Sequence, residues 1–483
     1  IIAFSSCKQE KNWHDKIILS DDQVTMVASV DLLSIINKMD ISNSQLPIDQ
    51  KIMLNGVLSS LDSDILGFKL EGSHRFFLVP EEGEQNGGLF FSGDIIDLDK
   101  FNNSITSTFG GNSEEIEGIN FVNVEYYNLT IGHDGQKFIA GLSLDNSFSE
   151  SKIISYFNST SNSEHSSDGM ESYLERNDDF SYFLSADKLI NAVAKMNIPF
   201  LNTQDLPIAN VNSMIALNFN NGNISIESEI LSNDGELNTS ITGNGLDEKF
   251  VNFLTDDNEI IGFAMANVNK DEIINQLEKL KDQDEIYQIN RNLKHLNVTL
   301  SEVINMFDGQ ISMSLIDLPL KSQNRYDNDW SDEEWEDEVN DVPEVIFNAG
   351  ISNQLALTEL FNKGNVAVVE NKVASSNGLN ILIKDNVLHL SSKSDLLKKI
   401  LADNTLGPCS MVDESLINEA AYVELVTNLD YFPANIIDVI DEENSELSIR
   451  DLFEQVERVY FHGNGDKSSF NLDFPNKNRN GLE

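Results

Sequence analysis

Asp327, Asp329, Ser331 and Glu338 place oxygen donors at positions one, three, five and twelve of a twelve-residue stretch, the ligand spacing of a calcium loop. The stretch departs from such a loop at two demanding points. Asp332 stands where glycine makes the sharp turn, and Glu334 stands where an apolar residue packs. The segment therefore reads as an exposed acidic loop with no dedicated cage, and loose association with calcium is the alternative. Trp330 and Trp335 lie inside it. Exposed indoles leave apolar area uncovered, so these two either touch a partner or fold back on the protein.

Other reactive constellations are missing from the sequence. There is no GxSxG elbow, no Gly-Lys pair for a phosphate loop and no HExxH, and the seven histidines are scattered. His389 sits in an expected strand and reads as structural. Gly243-Asn244-Gly245 and Gly463-Asn464-Gly465 lack a third glycine and read as turns. With 80 acidic residues, no single carboxylate pair of the glycosidase kind can be picked out. The expectation is a protein that is not an enzyme and holds no cofactor beyond loosely bound calcium.

One residue does carry a chemical message. Cys7 follows the apolar fragment Ile1-Ile2-Ala3-Phe4 and the small pair Ser5-Ser6. Small residues before a cysteine let signal peptidase reach the bond while the thiol carries diacylglycerol. The chain begins at Ile rather than Met, so residues 1–22 read as the remnant of a lipoprotein signal peptide plus a polar tether. Each buried methylene contributes about 0.8 kcal/mol, so two or three acyl chains hold where one binds marginally. The only other cysteine, Cys409, follows a Gly-Pro turn and forms no disulfide framework with Cys7.

The charge sets the partners. Against 80 acidic residues stand 32 basic ones, a formal net charge of -48. Such a surface repels phosphate backbones, which argues against nucleic acid. No apolar run approaches the roughly eighteen residues of a spanning helix. The expected partners are the membrane, through the N-terminal lipid, and an envelope protein or extracellular ligand.

The elements around these residues repeat a pattern of strand, acidic or amide cap, and helix. Thr25–Val30 leads to Asp31 and then Leu32, Leu33, Ile35 and Ile36, while Phe180–Ala186 leads to Asp187 and then Leu189, Ile190 and Val193. Their closing runs, Lys38-Met39-Asp40-Ile41 and Lys195-Met196-Asn197-Ile198, are alike and suggest an internal duplication. Weaker copies precede Asn269, Leu355 and Asn428. A second unit, strand then helix then hairpin then helix, recurs at 89–157 and 355–401. Asp134-Gly135, Asp385-Asn386 and Asn220-Asn221-Gly222-Asn223 mark hairpins. The fold class expected is α+β, with repeated strand-helix and hairpin units forming mixed or antiparallel sheets and helices packed on one face. The expected domains are 23–165, 166–320 and 345–483, the last repeating part of the first, with an acidic insert loop at 321–344.

Cys7, Val30-Asp31-Leu32-Leu33 and Asn177-Asp178-Asp179-Phe180-Ser181-Tyr182-Phe183-Leu184-Ser185-Ala186-Asp187 together resemble a lipoprotein family of Bacteroidota whose function is unknown. Ala421-Tyr422-Val423-Glu424-Leu425 and Asn476-Lys477-Asn478-Arg479-Asn480-Gly481-Leu482 are similar to its C-terminal part. The resemblance implies an envelope lipoprotein of repeated build and brings no catalytic residues. The function expected is a non-enzymatic binding or scaffolding role at the outer membrane, on its periplasmic or surface face. The alternatives are a capture module for a glycan or peptide nutrient, and a hydrolase with an unrecognised carboxylate pair.

Overall fold

The structure is a computed structural model. It describes residues 12–39, 47–60, 63–80, 87–110, 112–143, 150–159, 169–185, 188, 211–232, 243, 245–253, 260–280, 284–317, 344–376, 378–403, 405–406, 419–427 and 455–477. The chain divides into two compact units, one of Ile1–Leu237 with Asn478–Glu483 and one of Asn238–Lys477.

The first unit holds β1 (Met26–Val30), β2 (His74–Val79), β3 (Gly88–Asp94), β4 (Asn112–Ile116), β5 (Ile119–Val124), β6 (Leu129–His133), β7 (Lys137–Ser143), β8 (Phe180–Ser185), β9 (Val211–Asn220) and β10 (Asn223–Ser232). Side chains on a strand alternate between faces, and β2 shows it: Arg75, Phe77 and Val79 are buried while His74, Phe76 and Leu78 are less so. Across the sheet the order is β10-β9-β8-β1-β2-β3-β7-β6-β5-β4, antiparallel at every step. The core lies on one face, where Val27, Phe77, Phe90 and Phe183 meet as cross-strand partners with no exposed area. The helix Trp13–Ser20 buries Ile17 and Ile18 in the same cluster, together with Tyr156 and Tyr173.

The second unit holds β11 (Gly262–Asn267), β12 (Phe307–Asp317), β13 (Glu344–Ile351), β14 (Ala374–Ser376), β15 (Leu379–Lys384), β16 (Val387–Ser391), β17 (Ala421–Val426), β18 (Arg458–Asn464) and β19 (Lys467–Asp473). Its order is β19-β18-β17-β11-β12-β13-β16-β15-β14, again antiparallel throughout. The two orders coincide strand for strand, β1 with β11 and β8 with β17, and β4 is the one extra edge strand. The helical connections coincide as well. Leu32–Met39, Ile48–Ser60 and Ser63–Leu66 lie between β1 and β2, as Lys270–Lys279, Asp284–His295 and Leu300–Ile304 lie between β11 and β12. Leu98–Phe109 after β3 answers to Gln354–Lys363 after β13, and Glu150–Asn158 after β7 to Ser394–Asp403 after β16. The strands that lead to Asp31 and Asp187 are β1 and β8, neighbours in one sheet.

The α+β expectation, with mixed or antiparallel sheets and a helical layer on one face, is corrected. Within each unit every strand pairing among the described residues is antiparallel, and the helices serve as connections. The reason lies in helix burial. Leu32–Met39 has the 3.6-residue apolar period of a packing helix, yet none of its residues is buried, and the same holds for Ser63–Leu66 and Leu300–Ile304. By contrast Leu98–Phe109, Glu150–Asn158 and Ser394–Asp403 each bury two residues in a core, so the helices join the sheets singly, as connections. No helix among the described residues is long and apolar enough to cross a membrane.

Candidate functional site

One group of side chains with the residue types for chemistry gathers in the first unit where the helix Trp13–Ser20 meets β2 and β3. Asn12 caps this helix, its side chain accepting from the Asp15 amide at 2.8 Å. The next three residues each reach a strand. Trp13 Nε1 donates to Asp94 Oδ1 at 2.7 Å, and Lys137 lies 4.9 Å over the Trp13 ring. His14 Nδ1 lies 2.9 Å from Ser92 Oγ, and His14 Nε2 lies 3.6 Å from Asp94 Oδ2. Asp15 forms an ion pair with Arg75, whose guanidinium also donates to the Leu174 carbonyl. Arg75 is only 7% exposed, so losing either carboxylate or carbonyl would leave a charge stranded in the interior. Beside these contacts opens a cavity of about 230 Å³, bordered by Asn12, His14, Lys69, Glu71, His74, Arg75 and Asp94 among others.

Ser92, His14 and Asp94 are the residue types of a nucleophile, its base and the base's acidic partner. Their electrostatics do not suit that work. Burial drives the His14 pKa down to about 4, against the opposing pull of Asp94. A general base is most effective when its pKa lies near the working pH, and an imidazole this weak takes up a serine proton poorly. Ser92 is itself buried in β3. The geometry instead fastens the N-terminal helix to the sheet.

The second unit places its polar groups in the corresponding interior. Asn348 on β13 donates from Nδ2 to Ser312 Oγ at 3.0 Å, and its Oδ1 lies 2.7 Å from His389 Nδ1 on β16. Ser312, Asn348 and His389 are cross-strand partners, and the Phe253 ring packs edge-on against His389 at 4.7 Å. Burial pushes His389 down to about 3, so it stays neutral, in keeping with a structural role. On β17, the fully buried Glu424 accepts from Arg458 Nε at 3.0 Å and Nη2 at 2.9 Å, a bidentate pair, and from the Tyr422 hydroxyl. Burial and then the Glu424 charge hold the Tyr422 hydroxyl far above the ordinary phenol range. Burial works against the Arg458 charge, but the bonds to Glu424 and Tyr422 outweigh it and raise the guanidinium further.

Cys7, Asp327, Asp329, Ser331, Glu338, Trp330 and Trp335 lie outside the described residues. Among the described residues no group of three or more His, Cys, Asp or Glu side chains is placed to hold a metal ion. Sequence reasoning put Trp13 and His14 in a tether, whereas both open a docked helix. Asn12 as cap, with Asp15 in the first turn, was the available signal. Nothing local marked Ser92 and Asp94, which are far from His14 in the chain.

Together these observations define a protein of two topologically equivalent antiparallel β units, the first fastened to an N-terminal helix. No family model matches the chain, and no curated protein matches it. Three crystal forms of TP0453 show weak structural likeness. Form III has a TM-score of 0.26 at 12% identity, covering 48% of this chain and 88% of that one. Form IV gives 0.25 at 14% identity over 46% and 83%, and form I gives 0.26 at 13% over 46% and 80%. At these scores the likeness carries no weight for fold or function.

Proposed function

We propose that this chain is a lipoprotein of the bacterial cell envelope, fixed to the outer membrane through lipid on Cys7, and that it works by binding or scaffolding rather than by catalysis. The observation that supports this most is the docking of the helix Trp13–Ser20. Five residues after Cys7 the chain reaches Asn12, the cap of a helix rooted in the core of the first unit. A fully extended tether of that length spans about 17 Å, so an anchor on Cys7 holds the first unit close against the membrane surface. The Ser92–His14–Asp94 contacts fit the same reading, because they secure the point at which the tether enters the folded body.

Metabolic labelling of the full chain with a clickable fatty acid tests the proposal. Label on the wild-type chain and none on Cys7→Ala is expected; equal labelling of both removes the anchor. A second reading, capture of a glycan or peptide nutrient, is favoured by the cavity beside His14, where Lys69 and Glu71 have no ion-pair partner among the described residues.

A further inference from the structure

Three large rings stand in water at one corner of the first unit. Tyr126 is 87% exposed, Tyr127 54% and Phe109 40%. They touch one another edge-to-face: Tyr126 and Tyr127 have centroids 4.8 Å apart with planes at 89°, and Phe109 and Tyr127 lie 6.2 Å apart at 80°. The tyrosines sit in a 3-10 turn, Glu125–Tyr127, that joins β5 to β6 and closes on Asn128 in the left-handed conformation. Phe109 ends the helix Leu98–Phe109.

The second unit shows that the fold does not need this corner. Between β5 and β6 the last pairing is Val124 with Leu129, so four residues intervene. At the equivalent connection Ser376 pairs with Leu379, and two residues suffice, neither of them aromatic. The first unit has spent two additional residues on placing a pair of tyrosines in solvent.

We propose that this corner is a binding site for an organic cation, an alkylammonium or guanidinium group. The face of an aromatic ring is its negative pole and attracts a cation within about 6 Å of the centroid. Rings fixed near 80–90° to one another turn faces in two directions, as the walls of a cation site do. A flat sugar platform needs its rings coplanar. The surrounding charge has the matching sign. Glu125 opens the turn and is itself exposed beside the tyrosines. The net charge of -48 repels anionic ligands and draws cations in. This deepens the binding reading and rests on it, but it does not depend on the lipid anchor.

Calorimetric titration of the full chain with choline chloride and, separately, with a capped lysine-containing peptide tests the site. Tyr126→Ala leaves the net charge untouched and removes an almost fully exposed side chain, so general attraction of cations to an acidic protein is separated from ring binding. The expected result is saturable binding of at least one probe, weakened about fivefold in Tyr126→Ala and in Tyr127→Ala, and retained in Tyr126→Phe, which keeps the ring. A tighter lysine peptide assigns a protein partner; tighter choline assigns a small molecule or headgroup. Binding of neither probe, or binding unchanged by Tyr126→Ala, overturns the proposal while leaving the Cys7 anchor intact. Failure of the anchor leaves this titration unaffected.

Discussion

The two units run the same strand order, but the residue rows at the centre of their sheets differ in chemistry. In the first, the rows crossing the centre of the sheet are Val27, Phe77, Phe90 and Phe183, all apolar and fully enclosed. In the second, Phe263 on the central strand faces Ser314 on one side and Glu424 on the other, and Met265 faces Ser312 and Tyr422. Strand order is thus tolerant of what fills these rows, and most of the polar groups buried there meet a partner. In the second unit Ser312–Asn348–His389 and Tyr422–Glu424–Arg458 are partnered in this way, while Ser314 Oγ is buried without a partner among the described residues. An apolar interior is stabilised by area removed from water, and a polar one by complete networks that fail sharply when a member is lost.

The contrast can be broken most strongly in the apolar interior. Phe90→Ala removes a fully enclosed ring stacked at 5.3 Å on Phe77, and a loss of about 4 kcal/mol in chemical denaturation is expected. A loss under about 1 kcal/mol would mean that the row is not a packed core. In the polar interior, Glu424→Ala strands Arg458 and Tyr422, with an expected loss of about 3 kcal/mol. The double variant Glu424→Leu with Arg458→Met should recover most of that loss, because it leaves no charge unpaired. No recovery would show that the carboxylate does more than satisfy the arginine.

Acid sharpens the comparison further, since burial holds His14 and His133 in the first unit and His389 in the second below the ordinary imidazole range. His14 and His389 titrate near 4 and near 3 in the folded chain against 6.5 for an unperturbed imidazole. Between those values the unfolded chain binds the proton and the folded chain does not. The stability these residues contribute is full above about pH 6.5 and drains away as pH falls toward 4 and 3. From pH 7 to pH 5 each is expected to cost about 2 kcal/mol. His389→Gln should flatten that dependence in unfolding measurements; an unchanged slope would mean that the imidazole is charged in the fold. The smallest effect belongs to equivalent caps. Asp31 accepts from the Ser34 amide at 2.8 Å and Asn269 from the Glu272 amide at 3.3 Å, and Asp31→Ala and Asn269→Ala should each cost about 1 kcal/mol.

These caps were legible in the sequence, as were the tight turns. Asp385 and Asn386 take φ of 50° and 57°, the left-handed pair that a two-residue hairpin requires, and Gly222 takes 76° between β9 and β10. Local chemistry of this kind is written in a few adjacent residues. The pairing of β1 with β8 is not, because nothing near Val27 names Phe183 as its neighbour. The polar interior was hidden for a different reason. Alternation along β12 separates Ser312 and Ser314 from Met313, and a sequence reader sends the serines to water. The structure buries both serines and leaves Met313 45% exposed. Of the candidate site, Ser92, His14 and Asp94 come together only through the fold.

The anchored reading is tested most directly by fractionating cells that express the full chain and its Cys7→Ala variant. Wild-type protein is expected in the membrane fraction, and the variant, with its N-terminal helix still docked, in the soluble fraction. Retention of Cys7→Ala on the membrane to the same extent as wild type contradicts it.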